Sequence, residues 1–339
     1  MNHHRIVSAA IGILVAGLAA PGHAQLEPPG PPGSAAAWMK PLNMVEPRTI
    51  ITNLPCSIST PGSYYLISNL VGHASANGIT ILCGDVKLDL NGFALVGVAG
   101  SSNGIYVSGT TLSNITIQNG AIRSWEQYGI RAEVGRGIEV SGVKTCSNKQ
   151  DGMWLGDNAL VRECISFDNS AGGMHLGVNA VVVDCQARNN TTFGMEVDHA
   201  SKVRGCVSFG NTQDGILASS NCTISACSAV QNKGDGIRVG DNCRVDDNNC
   251  SANGAGSGTG AGIHAVGTRS RIQNNNVTVN DYGIWTGQDG NLVIHNSAGS
   301  NGSSKQDNYN LTTGTLNGRI EVDLVRDFSI LNPWANFSY

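Results

Sequence analysis

Gly152-Met153-Trp154-Leu155, Gly173-Met174-His175-Leu176, Gly194-Met195-Glu196-Val197, Gly215-Ile216-Leu217-Ala218 and Gly236-Ile237-Arg238-Val239 are five passages of one pattern, each beginning 21 residues after the last. The same dipeptide stands outside them at Gly104, Gly129, Gly262 and Gly283, with an earlier copy at Gly78-Ile79, and there the intervals run from 21 to 26 residues. A fixed period near 21 marks a stacked repeat. Inside each passage an apolar residue alternates with a variable one, which is the period of a strand with one face in and one face out. Nine residues after the glycine comes a second apolar column, Val161, Val182, Val203, Ile224 and Val245, and twelve after it come Cys164, Cys185, Cys206 and Cys227. No stretch sustains a helical period, and the Leu/Asn consensus of a leucine-rich repeat is absent. These columns specify an all-β chain, a right-handed parallel β-helix of about nine or ten coils. At about 4.8 Å per coil it forms a rod roughly 45 Å long, and no coil is stable without its neighbours.

Two asparagine columns set the register. Asn148, Asn169, Asn190, Asn211 and Asn232 stand four residues before the glycine; Asn158, Asn179, Asn221 and Asn242 stand six after it, with Ala200 interrupting. Both are assigned to coil corners, where asparagine tolerates left-handed backbone, and stacked amides can bond to one another along the axis.

Five regions follow. Residues 1–24 read as a signal peptide: Arg5, an apolar stretch from Ile6 to Ala20, and a small-residue cleavage site at Gly22-His23-Ala24. Residues 25–45, with Pro28, Pro29, Pro31, Pro32 and Pro41, read as an extended linker. Residues 46–100 form an N-terminal cap and first coil, 101–302 the repeats, and 303–339 a C-terminal cap in which the aromatics of Asn332-Pro333-Trp334-Ala335-Asn336-Phe337 lie over the last coil. The expected product is a secreted or periplasmic bacterial protein, monomeric, with no membrane span in its mature chain. Removing residues 1–24 takes Arg5 and no acid, leaving 20 basic against 25 acidic residues, a net charge of −5. That balance argues against nucleic acid as a partner, because phosphate binding calls for a basic face.

Pro61-Gly62-Ser63-Tyr64-Tyr65-Leu66, Leu88-Asp89-Leu90-Asn91-Gly92-Phe93, the Gly-Ile coils, Asn291-Leu292-Val293-Ile294 and Trp334-Ala335-Asn336-Phe337 together resemble the uncharacterised secreted bacterial β-helix proteins of the pectate-lyase-like superfamily. The resemblance covers nearly all of the mature chain. It implies fold and export but no single reaction, since β-helices host lyases, hydrolases, epimerases and inert binding rods.

Ten cysteines in an exported chain suggest a disulfide framework. The column Cys164 to Cys227 instead reads as a buried thiol ladder, because vertical neighbours in one column present parallel Cβ vectors that suit a bridge poorly. Cys222 with Cys243, and Cys56 with Cys83, are the pairs placed for bridging. Zinc is not expected, since no paired CxxC is present.

Chemistry is sought two residues after each glycine, where side chains point outward. That row reads Tyr106, Arg131, Trp154, His175, Glu196, Leu217, Arg238, His264 and Trp285. Aromatics flank a centre of His, Glu and Arg, where a solvated sheet would more usually carry Thr, Ser and Lys. Aromatic faces stack on sugar rings and arginine grips carboxylates, and a rung spacing of about 4.8 Å matches a sugar repeat. The expected partner is a polysaccharide, acidic or neutral, with Trp154, Arg131, His264 and Trp285 as its binding residues. A second column precedes the glycine: Asp151, Asp214 and Asp235. Asp214 and Asp235, one coil apart, are candidates for a carboxylate pair sharing acid and base roles. Their surroundings depart from the polygalacturonase motifs at Gln213, Gly234 and Ala261. For a lyase, Arg238 or Arg131 would neutralise a uronate, His175 or His264 would serve as base or acid, and Glu196 with Asp198 would supply oxygens for Ca²⁺. The catalytic candidates are therefore His175, Glu196, Asp214, Asp235 and Arg238, with no obligatory cofactor. The rival reading is a non-catalytic β-helix, a binding or structural rod of the envelope or matrix whose outward residues are ordinary surface.

Overall fold

A computed structural model describes residues 46–109, 112–254, 260–302, 305–317, 320–322 and 335–338. The signal-peptide and linker spans, and the aromatic Trp334, lie outside the described residues. From Thr49 onward the chain is a β-solenoid whose short strands all pair in parallel; the one helical element among the described residues is the 3₁₀ turn Lys305–Asn308. One sheet contains twelve strands, one per coil, from Cys56–Ile58 through Met153–Leu155 and Ile237–Val239 to Tyr309–Asn310. The larger sheet takes all the remaining described strands, two per coil in the regular region, such as Leu160–Arg162 and Ile165–Phe167.

Twelve coils exceed the nine or ten expected, because the outermost two lack the glycine that marks the others. Cys56 pairs with Ile79, so Pro55 stands in the glycine place, and Tyr309 pairs with Ile284, so Asn308 does. The glycine is required where the next coil presses close. A Cβ on Gly215 would stand 2.5 Å from the carbonyl oxygen of Gly236 and 2.6 Å from the Asn232 amide nitrogen.

The strand columns stack as read. Ile105, Met153, Met174, Met195, Ile237 and the second column from Val161 to Val245 are fully buried. Each regular coil turns three corners on left-handed residues five apart: Asn158, Glu163 and Asp168 in one coil, Asn179, Asp184 and Asn189 in the next. The residue after each corner points inward, giving Ala159, Cys164 and Asn169, then Ala180, Cys185 and Asn190. This corrects the expectation that both asparagine columns make corners. The column from Asn158 does, at φ +58°. The column from Asn148 sits one residue past a corner, is buried, and forms an amide ladder. Asn169 Oδ1 accepts from Asn148 N–H at 3.1 Å and from Asn148 Nδ2 at 3.0 Å, and the pattern repeats upward through Asn253 to Asn301.

The cysteines belong to the same scheme. Cys164 N–H donates to Cys185 Sγ at 3.5 Å, much as Cys227 N–H donates to Asn248 Oδ1 at 2.9 Å, and from there Asn248, Asn275, Asn296 and Asn336 carry the column on as amides. All ten cysteines are free thiols, so neither Cys222–Cys243 nor Cys56–Cys83 is bridged. Cys222 N–H instead donates to Cys243 Sγ at 3.4 Å.

Candidate functional site on the twelve-stranded sheet

Strand register places every residue of the outward row one rung from the next. Tyr106, Arg131, Trp154, His175, Glu196, Leu217, Arg238, His264 and Trp285 are successive parallel partners, with Thr80 below and Asn310 above. The nine candidates are thereby divided. Trp154, Arg131, His175, Glu196, Arg238, His264 and Trp285 lie on this row, while Asp214 and Asp235 lie on the column beside it, before the glycine.

The row is ordered by ring contacts. Trp154 and His175 form a nearly parallel stack, with centroids 5.4 Å apart and planes 6° from parallel; His264 and Trp285 stack at 4.1 Å and 5°. Tyr128 leans on Trp154, Phe193 meets His175 edge-on, and Tyr282 leans on Trp285. Arg131 lies over the Tyr106, Tyr128 and Trp154 rings while its guanidinium holds Glu133 at 2.8 Å. Stacking restrains these rings, so they lose little further ordering entropy when a ligand packs against them.

The aspartates before the glycines share one backbone task. Asp151 Oδ1 accepts the N–H of Gly172 at 2.6 Å, Asp214 Oδ1 that of Asp235 at 2.8 Å, and Asp235 Oδ1 that of Ala261 at 2.7 Å. Each thus fastens its own coil to the next. The second oxygen then reaches the row. Asp235 Oδ2 lies 2.8 Å from His264 Nδ1, within hydrogen-bond distance. Asp151 Oδ2 is 3.8 Å from His175 Nδ1, and Asp214 Oδ2 is 3.6 Å from Arg238. Burial, then the charge of Asp235, pushes the Asp214 carboxyl above its ordinary value. Their oxygens are nonetheless engaged by backbone and by the row, so the pair is built into the scaffold.

The concave part of the face lies lower. Four residues after the repeat glycine the coils carry Glu133, Gly156, Gly177, Asp198 and Ser219, and the two glycines open a depression of about 480 Å³ between Glu133 and Asp198. Trp154, His175 and Glu196 form its side, and Asp157 also lines it. Burial holds the Glu196 carboxyl above its ordinary value; His175 pulls it down, and the charges of Asp151, Asp198 and Asp214 push it up. For His175 burial opposes the charged ring, but the pull of Asp151, Glu196 and Asp198 outweighs it and the pKa is raised. A carboxyl and an imidazole whose pKa values are both shifted upward share one hollow. Glu196 and Asp198 offer oxygens on one strand, fewer than the six to eight Ca²⁺ takes, and among the described residues no three His, Cys, Asp or Glu side chains gather as a metal site.

Reading the sequence missed the partnership of Asp151 with His175, the flanking rings of Tyr128 and Tyr282, and the hollow itself. The signal for the hollow is present in the repeat: glycine four residues after the repeat glycine in two successive coils, with an acid on either side.

The fold and this face define a class, a parallel β-solenoid with an aromatic row and an acidic hollow on its single-strand sheet. The family described as "Right handed beta helix region" matches at residues 57–206 and 179–277, more than half of the chain, and the protein belongs to that family. No curated protein matches it. Among solved structures it is similar to two mannuronan C-5 epimerase A-modules of Azotobacter vinelandii. For AlgE6 the identity is 14% and the TM-score 0.54, over 83% of this chain and 91% of that one; for AlgE4 the values are 15% and 0.52, over 74% and 85%. The Dettilon tailspike protein gp208 is 13% identical at a TM-score of 0.50, over 68% of this chain and 59% of its own. At such identities the likeness is one of fold. Among the described residues no helix is long and apolar enough to cross a membrane.

Proposed function

We propose that this is an exported protein that binds a linear polysaccharide along the outward row from Tyr106 to Trp285. The observation that carries the reading is the pair of parallel Trp–His stacks, Trp154–His175 and His264–Trp285, set on one row of successive rungs. The similar epimerase modules act on a polysaccharide, by their descriptions, which supports the same ligand class here. Replacing Trp154 and Trp285 with Ala should retard the protein less on glycan-containing affinity gels. Mobility unchanged by both substitutions would remove the groove.

If the bound glycan is also processed, the depression is where the chemistry belongs, with His175 and Glu196 as the proton-handling groups and Asp151 orienting His175. Arg238, His264, Asp214 and Asp235 then serve binding and scaffold. A panel of pectin, alginate and glycosaminoglycans, read by unsaturated-uronate absorbance and by reducing ends, separates enzyme from rod. Product with any of them that is lost in His175→Ala supports turnover, and silence in both readouts favours the non-catalytic binding rod for those substrates.

A further inference from the structure

The charge of the face narrows the glycan. The residues lining the depression include Glu133, Asp157, Glu196 and Asp198, and no lysine or arginine. The one lining group able to carry positive charge, His175, has Asp151 beside it. The two guanidiniums on the row are already spoken for: Arg131 holds Glu133, and Arg238 lies against Asp214. A polyuronate laid along the row would bring one more carboxylate per rung or so towards this group, in a half-buried setting where like charges are weakly screened. The hollow has, in contrast, acceptors to spare. Arg131 bonds Glu133 Oε1 at 2.9 Å, while Glu133 Oε2 is buried with no hydrogen-bond partner. Such a group costs stability unless a donor reaches it.

Resting on the polysaccharide reading above, we propose that the sugar seated in the depression is a hexosamine with a free, protonated amino group, its ring against the Trp154–His175 stack and its ammonium among Glu133, Glu196 and Asp198. An ammonium brings three donors and no acceptor, which is the complement of a hollow edged with carboxylates and framed by an aromatic platform. The same carboxylates leave an N-acetylated or uronic unit without a matching charge.

The test uses the purified full chain and three hexamers in titration calorimetry at mildly acidic pH: glucosamine, N-acetylglucosamine and galacturonate. The glucosamine hexamer should bind roughly tenfold or more tighter than either of the others, the range of a charge-assisted hydrogen bond. Glu196→Gln should remove most of that margin. Glu163→Gln, at an exposed corner of the larger sheet, should change nothing, which separates the hollow from general attraction of a polycation to an acidic protein. Equal or tighter binding of the acetylated or galacturonate hexamer, in a protein where Trp154→Ala still weakens binding, would overturn the amino-sugar assignment and leave the polysaccharide reading standing. An equal loss in Glu163→Gln and Glu196→Gln would overturn it as well. Binding of none of the hexamers, or binding indifferent to Trp154→Ala, would overturn both.

Discussion

Asp151, Asp214 and Asp235 occupy one place in their coils and do one backbone job, yet each hands its second oxygen to a different neighbour on the row. Asp235 is the most committed, being almost wholly buried with both oxygens in use. Asp235→Ala should cost about 2–3 kcal/mol, since it strands the Ala261 N–H and the His264 ring. Asp235→Asn should cost less, because the amide oxygen can still accept from Ala261. Urea unfolding at constant m separates the two; equal losses would show that the charge, not the geometry, matters. Glu196 makes a pH-dependent forecast. Its raised pKa means the folded state binds more protons than the unfolded state between the ordinary carboxylate value and its own. Stability therefore falls as pH rises through that window. His175, also raised, acts in the same sense higher up: its contribution is complete below the ordinary imidazole value and is lost as pH passes its folded value. Glu196→Gln should flatten the lower part of the stability–pH curve and leave a slope in the imidazole range. A curve as steep as that of the parent would show Glu196 to be freely solvated.

At the scale of the coil, the corner and the residue behind it behave differently although both can be asparagine. Asn190 gives Nδ2 to Asn211 and to the Ser166 carbonyl and takes bonds from Asn169. Asn190→Ala thus leaves buried donors and acceptors in three coils unmatched and should cost roughly 3 kcal/mol or more. Asn179→Ala, at an exposed left-handed corner with φ +58°, should cost about 1 kcal/mol, because alanine lacks the short polar side chain that eases that conformation and that here donates to Asn158. Similar losses at both positions, measured by chemical denaturation, would mean the amide ladder adds nothing. This contrast also explains what was legible. Period, strand columns, the outward row and its order are functions of spacing alone, so they could be read from Gly152 to Trp285 without coordinates. Whether an asparagine turns the chain or bonds beneath it depends on one residue of phase relative to the corner, which the repeat does not mark. The pairing of Asp151 with His175 escaped for a related reason. It runs diagonally between neighbouring columns and neighbouring coils, a separation of 24 residues that matches no period in the sequence. The free thiols of the Cys164 column were legible because vertical neighbours present parallel Cβ vectors, and the bridges expected at Cys222–Cys243 and Cys56–Cys83 rested on spacing without direction.

Over the whole molecule the two Trp–His stacks lie at opposite ends of the functional face. His175 and His264 are separated by four rungs, through Glu196, Leu217 and Arg238, or about 19 Å at the spacing of parallel strands. A disaccharide can meet one stack; only a longer chain can meet both. Once one stack is engaged the second contact is intramolecular and carries little further translational cost. Affinity should therefore climb steeply as the oligosaccharide lengthens to roughly five or six units and then level off. Trp285→Ala should leave dimers unaffected and lower the affinity of hexamers by roughly tenfold, as loss of an aromatic anchor does. Trp154→Ala should weaken both lengths, because its stack borders the depression where the short ligand sits. Calorimetric titration of a length series against the parent and the two variants reads this directly. An affinity that keeps rising in proportion to length would point to contacts spread evenly along the rod. An affinity independent of length, with Trp285→Ala silent throughout, would confine recognition to the hollow and make the upper stack part of the scaffold.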